Sequence, residues 1–404
     1  MSIEIRPARP EEFPDVVRPI MHYFGRLTPG DDFAARFGPI IPADRIHAAF
    51  EDGQVVGSGG VFPFETGVPG GLIRAAGVTL VGVLPTHRRR GIFKDLMRRQ
   101  IDDVHERGEP IAYLWASEDA LYARFGYGVG SFCGSIDLDR SRVEYHDERR
   151  PRGQVRFVDE DEAVEAFYEI QRAAATRHPG MFVRTKEWWR NRRLADPEWA
   201  REGGGEQVRV LLELDDRPAA YALYRTHFSA ERGIPNGFTN VIEAVGDSSD
   251  ATREIWRYLL DIDWMARVRA HLLPLDHELF LLLRDPRRLR FEFRDGLWVR
   301  LVDVEAALNG RSFKPGEPVV FEVADEFCPW NAGRYRVGPE GAERTDAEPE
   351  LRMPVQSLGS AYLGGFTFGQ LARAGRVDEL AAGALDRADA LFRADRYPWC
   401  PEIF

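Results

Sequence analysis

The chain has 404 residues, of which 44% are hydrophobic and 29% charged; this fits an ordinary folded protein of two or three domains. The net charge of −11 argues against nucleic acid as a partner, and no apolar run is long enough to span a bilayer. Cys133, Cys328 and Cys400 lie far apart and the nine histidines show no metal-ligand spacing, so neither a disulfide framework nor a metal site is expected.

The opening stretch "MSIEIRPARPEEFPDVV" has early acids and no apolar core of a secretion signal, so a cytoplasmic location is expected. Residues 10–27 read as one helix, with Phe13, Val16, Val17, Ile20, Met21 and Phe24 on one face. "IHAAFEDGQVVGSGGVFPFE" reads as two strands about an Asp52-Gly53 turn. A long strand, "LIRAAGVTLVGVL", follows; Gly77 and Gly82 interrupt it, as a bulge or a close backbone approach requires. After "PTHRRRG" an amphipathic helix carries Ile92, Phe93, Leu96, Met97, Ile101 and Val104 and stops at Gly108 and Pro110. "IAYLWA" is a short buried strand, Ser117 reads as the N-cap of a helix ending at Gly126, and "VGSFCGSIDLD" is a strand.

"ERRPRG" near residue 150 reads as a linker. Beyond it a strand, a helix over 160–176, a hairpin and a strand leading into a helix repeat the order of the first unit, as a degenerate duplication would. The second unit's strand-to-helix joint, "GDSSDATRE", is acidic and unsuited to phosphate. A third unit opens near "DGLWVRLVDVEAALNG", with strands at "PVVFEVAD" and "GRYRVG" and helices from 355 onward. The chain ends "YPWCPEIF", apolar to its last residue, which points to a docked tail.

The joint at Arg88–Lys94 combines three features that suit a pyrophosphate. A helix start presents unpaired N–H groups and a positive dipole end. Glycine admits close backbone approach. Arginines add charge-assisted hydrogen bonds. On residues alone a solvated charge run fits equally well. Tyr122 reads as a core tyrosine or a proton donor, and Ser117 as a cap. His87 reads as a solvated loop residue, and Trp188 and Trp189 as core.

Arg88-x-x-Gly91 after a bulged strand, then helix, strand and a helix bearing Tyr122, resembles the GNAT N-acetyltransferase superfamily. The segments "VGVLPTHRRRGIF", "LWASEDALYARFGYG", "DGLWVRLVDVEAAL" and "VQSLGSAYLGG", with the aromatic terminus, resemble the enhanced intracellular survival (Eis) family over nearly the whole chain. One departure from the superfamily pattern is Phe93, where a small residue is usual.

The resemblance implies an α/β fold of mixed sheets: two fused GNAT-like domains followed by a sterol-carrier-protein-like α+β domain. The implied domains are 1–150 with the CoA site, 151–292 without one, and 293–404, whose terminus reaches the active site. It implies transfer of acetyl from acetyl-CoA to a primary amine of an aminoglycoside, polyamine or lysine, with no nucleic-acid or membrane partner and a homohexameric assembly. By position, the backbone of Val81, Gly82 and Val83 would face the pantetheine and thioester. Arg89, Arg90, Gly91, Ile92, Phe93 and Lys94 would hold the pyrophosphate, and Ser117 and Glu118 would line the cofactor. Tyr122 would be the general acid and the α-carboxylate of Phe404 the general base. The competing expectation is a non-catalytic CoA- or lipid-binding scaffold.

Overall fold

Asp52 and Gly53, both at positive φ (50° and 78°), form the tight turn from which the first sheet is built. Strands β1 (Glu4–Pro7), β2 (Ile46–Glu51), β3 (Gln54–Val68), β4 (Gly71–Val83) and β5 (Ile111–Trp115) lie side by side in that order. All neighbours are antiparallel except β4 and β5. The computed structural model describes residues 3–23, 25, 30–147 and 151–404. By its contacts the chain forms two units: Met1–Gly130 with Leu297–Asp395 and Phe404, and Ser131–Gly296 with Arg396–Ile403.

In the first unit the helix Ile92–Glu106 lies on one face of the sheet. Its Met97, Ile101 and Val104 pack with Val61, Ala76, Val78, Ala112 and Leu114, all buried. The spacing of its apolar residues therefore does what the sequence predicts. The expected helix over 10–27 is instead broken into a 3-10 turn at Pro10–Glu12 and short helices Phe13–Val16 and Arg18–Tyr23. Pro14 and Pro19 lack an N–H and fit only a first helical turn, so each restarts the helix. Phe24 lies outside the described residues.

"VGSFCGSIDLD" is also divided. Its β6 (Gly128–Val129) belongs to the first sheet and its β7 (Phe132–Asp139) to the second unit's sheet. The strand Leu297–Leu301, expected to open the third unit, pairs with β5 and β6 and completes the first sheet. The segment 131–147, on the first-domain side of the expected break, thus belongs to the second unit. Residues 148–150 of the expected linker lie outside the described residues.

The rest of the first unit is a five-stranded sheet, among the described residues, in the order Gly341–Arg344, Gly333–Gly338, Val319–Ala324, Leu351–Pro354, Asp378–Glu379. Phe321, Phe368 and Phe392 pack together in its core, with ring centroids 4.9–5.8 Å apart. The helix Val355–Tyr362 packs on Leu297–Leu301 through Gly359, where a Cβ would lie 2.5 Å from the Val299 carbonyl oxygen. The buried Arg311 donates to the carbonyls of Tyr362 and Phe392, at the C-terminal ends of two helices, where a cation is favoured.

The second unit repeats the plan of the first. Arg217–His227 runs antiparallel to Gly237–Gly246, and the latter runs parallel to Met265–Leu273. Trp188 and Trp189 are buried, as expected of core residues. The tail is docked here: Trp399 donates its backbone N–H to Pro179 and its indole N–H to the Leu272 carbonyl. Glu402 is buried against Arg184 (2.7 Å), Arg192 (2.9 Å) and the Trp188 indole (3.0 Å). Arg184 also grips Glu243 at 2.6 and 2.7 Å. Burial opposes the charge on Glu402, yet the surrounding arginines hold its carboxyl down to about 2.

Removing one partner of such a buried network strands a charge. Glu402→Ala is expected to cost about 3 kcal/mol of stability at pH 7, read by urea unfolding. A depressed carboxyl stabilises the fold above its unfolded value of ~4.3 and loses that contribution as pH falls through the folded one. The gap between wild type and variant therefore narrows as the pH drops from about 4 toward 2.

Candidate functional site

The site begins with a fault in β4. Pairing to β3 jumps from Ser58↔Gly82 to Gly60↔Thr79, so Leu80 and Val81 together face Gly59. Leu80 sits at φ 55°, and the Ser58 hydroxyl donates to its carbonyl at 3.1 Å. Such a bulge sharpens the local twist and turns the strand away from its neighbour. The parallel ladder between β4 and β5 covers only Ala75–Gly77 with Ile111–Tyr113. Past Gly77 the two strands part, and a cavity of about 470 Å³ opens beside them.

Val81, Gly82 and Val83 line this cavity from β4. Gly82 has no side chain for a reason: a Cβ there would come 3.1 Å from the Ile20 nitrogen, so the helix Arg18–Tyr23 crosses directly over the strand.

Gly91, Ile92, Phe93 and Lys94 form the next wall. Gly91 is the N-cap of Ile92–Glu106 at φ 86° and gives it no side-chain cap. The amides of Ile92, Phe93 and Lys94 therefore lack intrahelical partners and present the positive end of the helix dipole. Arg88, Arg89, Lys94 and Arg124 also line the cavity. None of the four is paired with a carboxylate among the described residues. The phenylalanine at position 93 fits because its ring packs tilted against Phe125 at 5.7 Å and edge-wise toward Tyr122 at 6.1 Å.

Arg90 does not line the cavity. It grips Glu51 at 2.5 and 3.0 Å, and His87 joins the same carboxylate at 2.9 Å. The Arg90 hydrogen bonds hold the Glu51 carboxyl down to about 2. Arg90 and His87 thus brace the loop that aims Arg88 and Arg89 into the cavity; His87 is tethered, not the free solvated residue expected from sequence.

Ser117, Glu118 and Tyr122 form the far wall. The expected cap at Ser117 is not made: Glu118 holds the cap position of Asp119–Tyr122 without a side-chain cap bond. Burial pushes the Tyr122 phenol up to about 12, an effect the Ser117 hydroxyl nearby moderates. Sequence reasoning missed Tyr23, which donates to Glu118 at 2.7 Å from across the cavity. Nothing in its local pattern marks it, since it ends a short helix with an exposed side chain.

Phe404 is not part of this cavity wall. Its ring, 8% exposed, meets Phe64 and Tyr113 edge-on at 5.1 and 5.2 Å. Phe64 in turn covers Gly77, and Tyr113 is the partner of Gly77. The terminal ring therefore sits where β4 and β5 begin to part, on the sheet face opposite the helix Ile92–Glu106.

The corresponding place in the second unit is closed. Ser248 caps the helix Ser249–Leu260 by accepting from the Ala251 amide at 3.2 Å. A Cβ on Gly246 would lie 2.5 Å from the Thr252 nitrogen. Only about 20 Å³ remains between Ala244–Gly246, Pro274 and Trp399.

A family model described as an acetyltransferase (GNAT) domain matches residues 4–130, a second of the same description matches 180–301, and a sterol carrier protein domain matches 304–401. An uncharacterized N-acetyltransferase of Streptomyces coelicolor is 38% identical with both chains fully covered. The N-acetyltransferase Eis of Mycobacterium bovis is 32% identical over 91% of each chain. The crystal structure of Eis1 from Mycobacterium abscessus superimposes with a TM-score of 0.87 at 33% identity, covering 99% of this chain and all of that one. The chain belongs to the Eis family of GNAT N-acetyltransferases. Like its Eis relatives it is an acetyl-CoA-dependent acyltransferase built from two GNAT domains and a sterol-carrier-like domain. No helix among the described residues is long and apolar enough to cross a membrane.

If the Eis cleft holds the pyrophosphate through Arg89 and the helix start, Arg89→Ala weakens CoA binding about tenfold or more, since a charge-assisted hydrogen bond is worth ~1.5–3 kcal/mol. Arg90→Ala, which only loosens the loop, costs about threefold or less on the same scale. Isothermal calorimetry with CoA distinguishes the two.

Proposed function

We propose that the chain transfers acetyl from acetyl-CoA to a primary amine of a cationic acceptor, an aminoglycoside, a polyamine or a lysine side chain, by direct attack within the first GNAT domain. The observation that carries the proposal is Tyr122: it lines the cleft together with Ser117, beside the bulged strand and the uncapped helix start. The pantetheine arm extends β4 as a missing strand would, using the backbone of Val81–Val83. The pyrophosphate rests on the amides of Ile92–Lys94 with Arg88 and Arg89 beside it.

A backbone N–H near Val81 polarises the thioester carbonyl. The neutral amine approaches from the Phe404 side and attacks, and its proton passes to the terminal α-carboxylate. As the carbon–sulfur bond breaks, the thiolate takes the Tyr122 proton. Holding both reactants in one cleft supplies the proximity term. The terminal carboxylate, ordinarily of pKa ~3.5, serves as the base, carried by a residue whose ring packs against Phe64 and Tyr113. The assembly is that of the family resemblance, a homohexamer.

Tyr122→Phe is expected to lower kcat roughly a hundredfold while acetyl-CoA affinity changes less than about twofold. Deletion of Phe404 does the same, read by thiol release with an amine panel. A scaffold without turnover would show no release in wild type. For pH, the sign follows from two groups. The rate rises as the acceptor amine, ordinarily near ~10.4, loses its proton. Tyr122, with its phenol raised to about 12, stays protonated over that whole span, so kcat shows no alkaline fall attributable to it.

A further inference from the structure

Leu80 holds a left-handed backbone, φ 55°, which a residue with a side chain keeps only when its surroundings enforce it. Two buried side chains supply the enforcement. The Ser58 hydroxyl donates to the Leu80 carbonyl at 3.1 Å. On the facing strand Gln100 donates through Nε2 to the Gly60 carbonyl, also at 3.1 Å. Ser58 and Gln100 are both fully buried. Gly59, which faces both Leu80 and Val81, leaves room for the Gln100 carboxamide: a Cβ there would meet Nε2 at 2.8 Å.

A hydroxyl on the Leu80 carbonyl also acts on the far end of the same peptide. The peptide bond is planar and trans, so the Leu80 carbonyl and the Val81 N–H share one plane and point in opposite directions. With the carbonyl held toward Ser58 of β3, the Val81 N–H leaves on the side away from it. β5 does not pair there, since its ladder with β4 ends at Gly77, and Val81 lines the cavity. A hydrogen bond accepted by the carbonyl further polarises the peptide and makes its N–H a stronger donor.

We propose that Ser58 is a positioning residue for acetyl transfer: through the Leu80 carbonyl, its hydroxyl aims and strengthens the Val81 N–H as the donor to the thioester carbonyl oxygen. The inference rests on the Val81 amide being that donor. Ser58 does not line the cavity and touches no reacting atom. It exchanges no proton with the substrates. As the amine attacks, negative charge grows on the carbonyl oxygen, and a donor already fixed in direction stabilises that charge without reorganising.

The test uses the full-length protein, carbonyl-labelled acetyl-CoA and a fixed primary amine. Ser58→Ala removes the hydroxyl, Ser58→Cys keeps its bulk with a weaker donor, and Ser58→Thr keeps the hydroxyl. With no amine present, isotope-edited infrared spectroscopy reads the stretch of the bound thioester carbonyl. In wild type this stretch lies below that of free acetyl-CoA. It moves back toward the free value in Ser58→Ala, less far in Ser58→Cys, and returns to the wild-type position in Ser58→Thr. With amine present, kcat follows the same order. It falls about tenfold in Ser58→Ala, part of the roughly hundredfold that loss of a whole oxyanion donor costs, and KM for acetyl-CoA is little changed. A lowered kcat with the wild-type stretch overturns the proposal, and so does a wild-type kcat in Ser58→Ala. A large loss of CoA affinity in Ser58→Ala also overturns it, because the hydroxyl then only shapes the cleft. Should Ser58→Ala fail to fold, Ser58→Cys decides by the same two readings. A wild-type stretch equal to that of the free thioester overturns the Val81 reading beneath it.

Discussion

The bulge at Leu80–Val81 is the constraint on which the site depends. A regular β4 would continue its parallel ladder with β5 and bury its edge. The two-against-one pairing opposite Gly59 twists the strand out of register and ends that ladder at Gly77. An unpaired strand edge is normally a liability; here it borders the cavity. The same parting of strands frees the floor for Tyr122, leaves the helix start at Ile92 facing open space, and gives the terminal Phe404 ring a seat against Tyr113 and Phe64.

The two GNAT domains show how little separates an open cleft from a closed one. Both pair an antiparallel hairpin with a parallel strand, and both have a helix starting beyond the central strand. In the first the cap is Gly91, which supplies a left-handed turn and no hydroxyl. In the second it is Ser248, whose side chain consumes an amide that an anion would otherwise take. The second cleft also holds the Trp399 indole, and the buried Arg184–Glu243–Glu402 network keeps the tail there. Burying those charges carries a large desolvation penalty, and only a fully paired set tolerates it.

Much of this was legible in the sequence, and the limits are physical. The arginine run, the glycine and the amphipathic helix lie within one short stretch, so their joint meaning is local. The duplication and the docked tail were likewise visible as repeated order and an apolar end. The apolar spacing of Phe13 to Met21 predicts one helix, but Pro14 and Pro19 restart it. What escaped depends on distant pairing. Glu51, 39 residues before Arg90, takes that arginine out of the cleft. Leu297–Leu301 joins a sheet whose other strands lie far earlier in the chain. Tyr23 gains meaning only through Glu118, 95 residues away.

The account is tested most directly by a crystal structure of the full chain with CoA. It predicts one CoA per chain, with its pantetheine amides paired to the β4 backbone at Val81–Val83, its pyrophosphate against the amides of Ile92, Phe93 and Lys94, and its sulfur within hydrogen-bonding reach of the Tyr122 hydroxyl. CoA bound in the second GNAT domain, or bound in the first with its sulfur far from Tyr122, would contradict it.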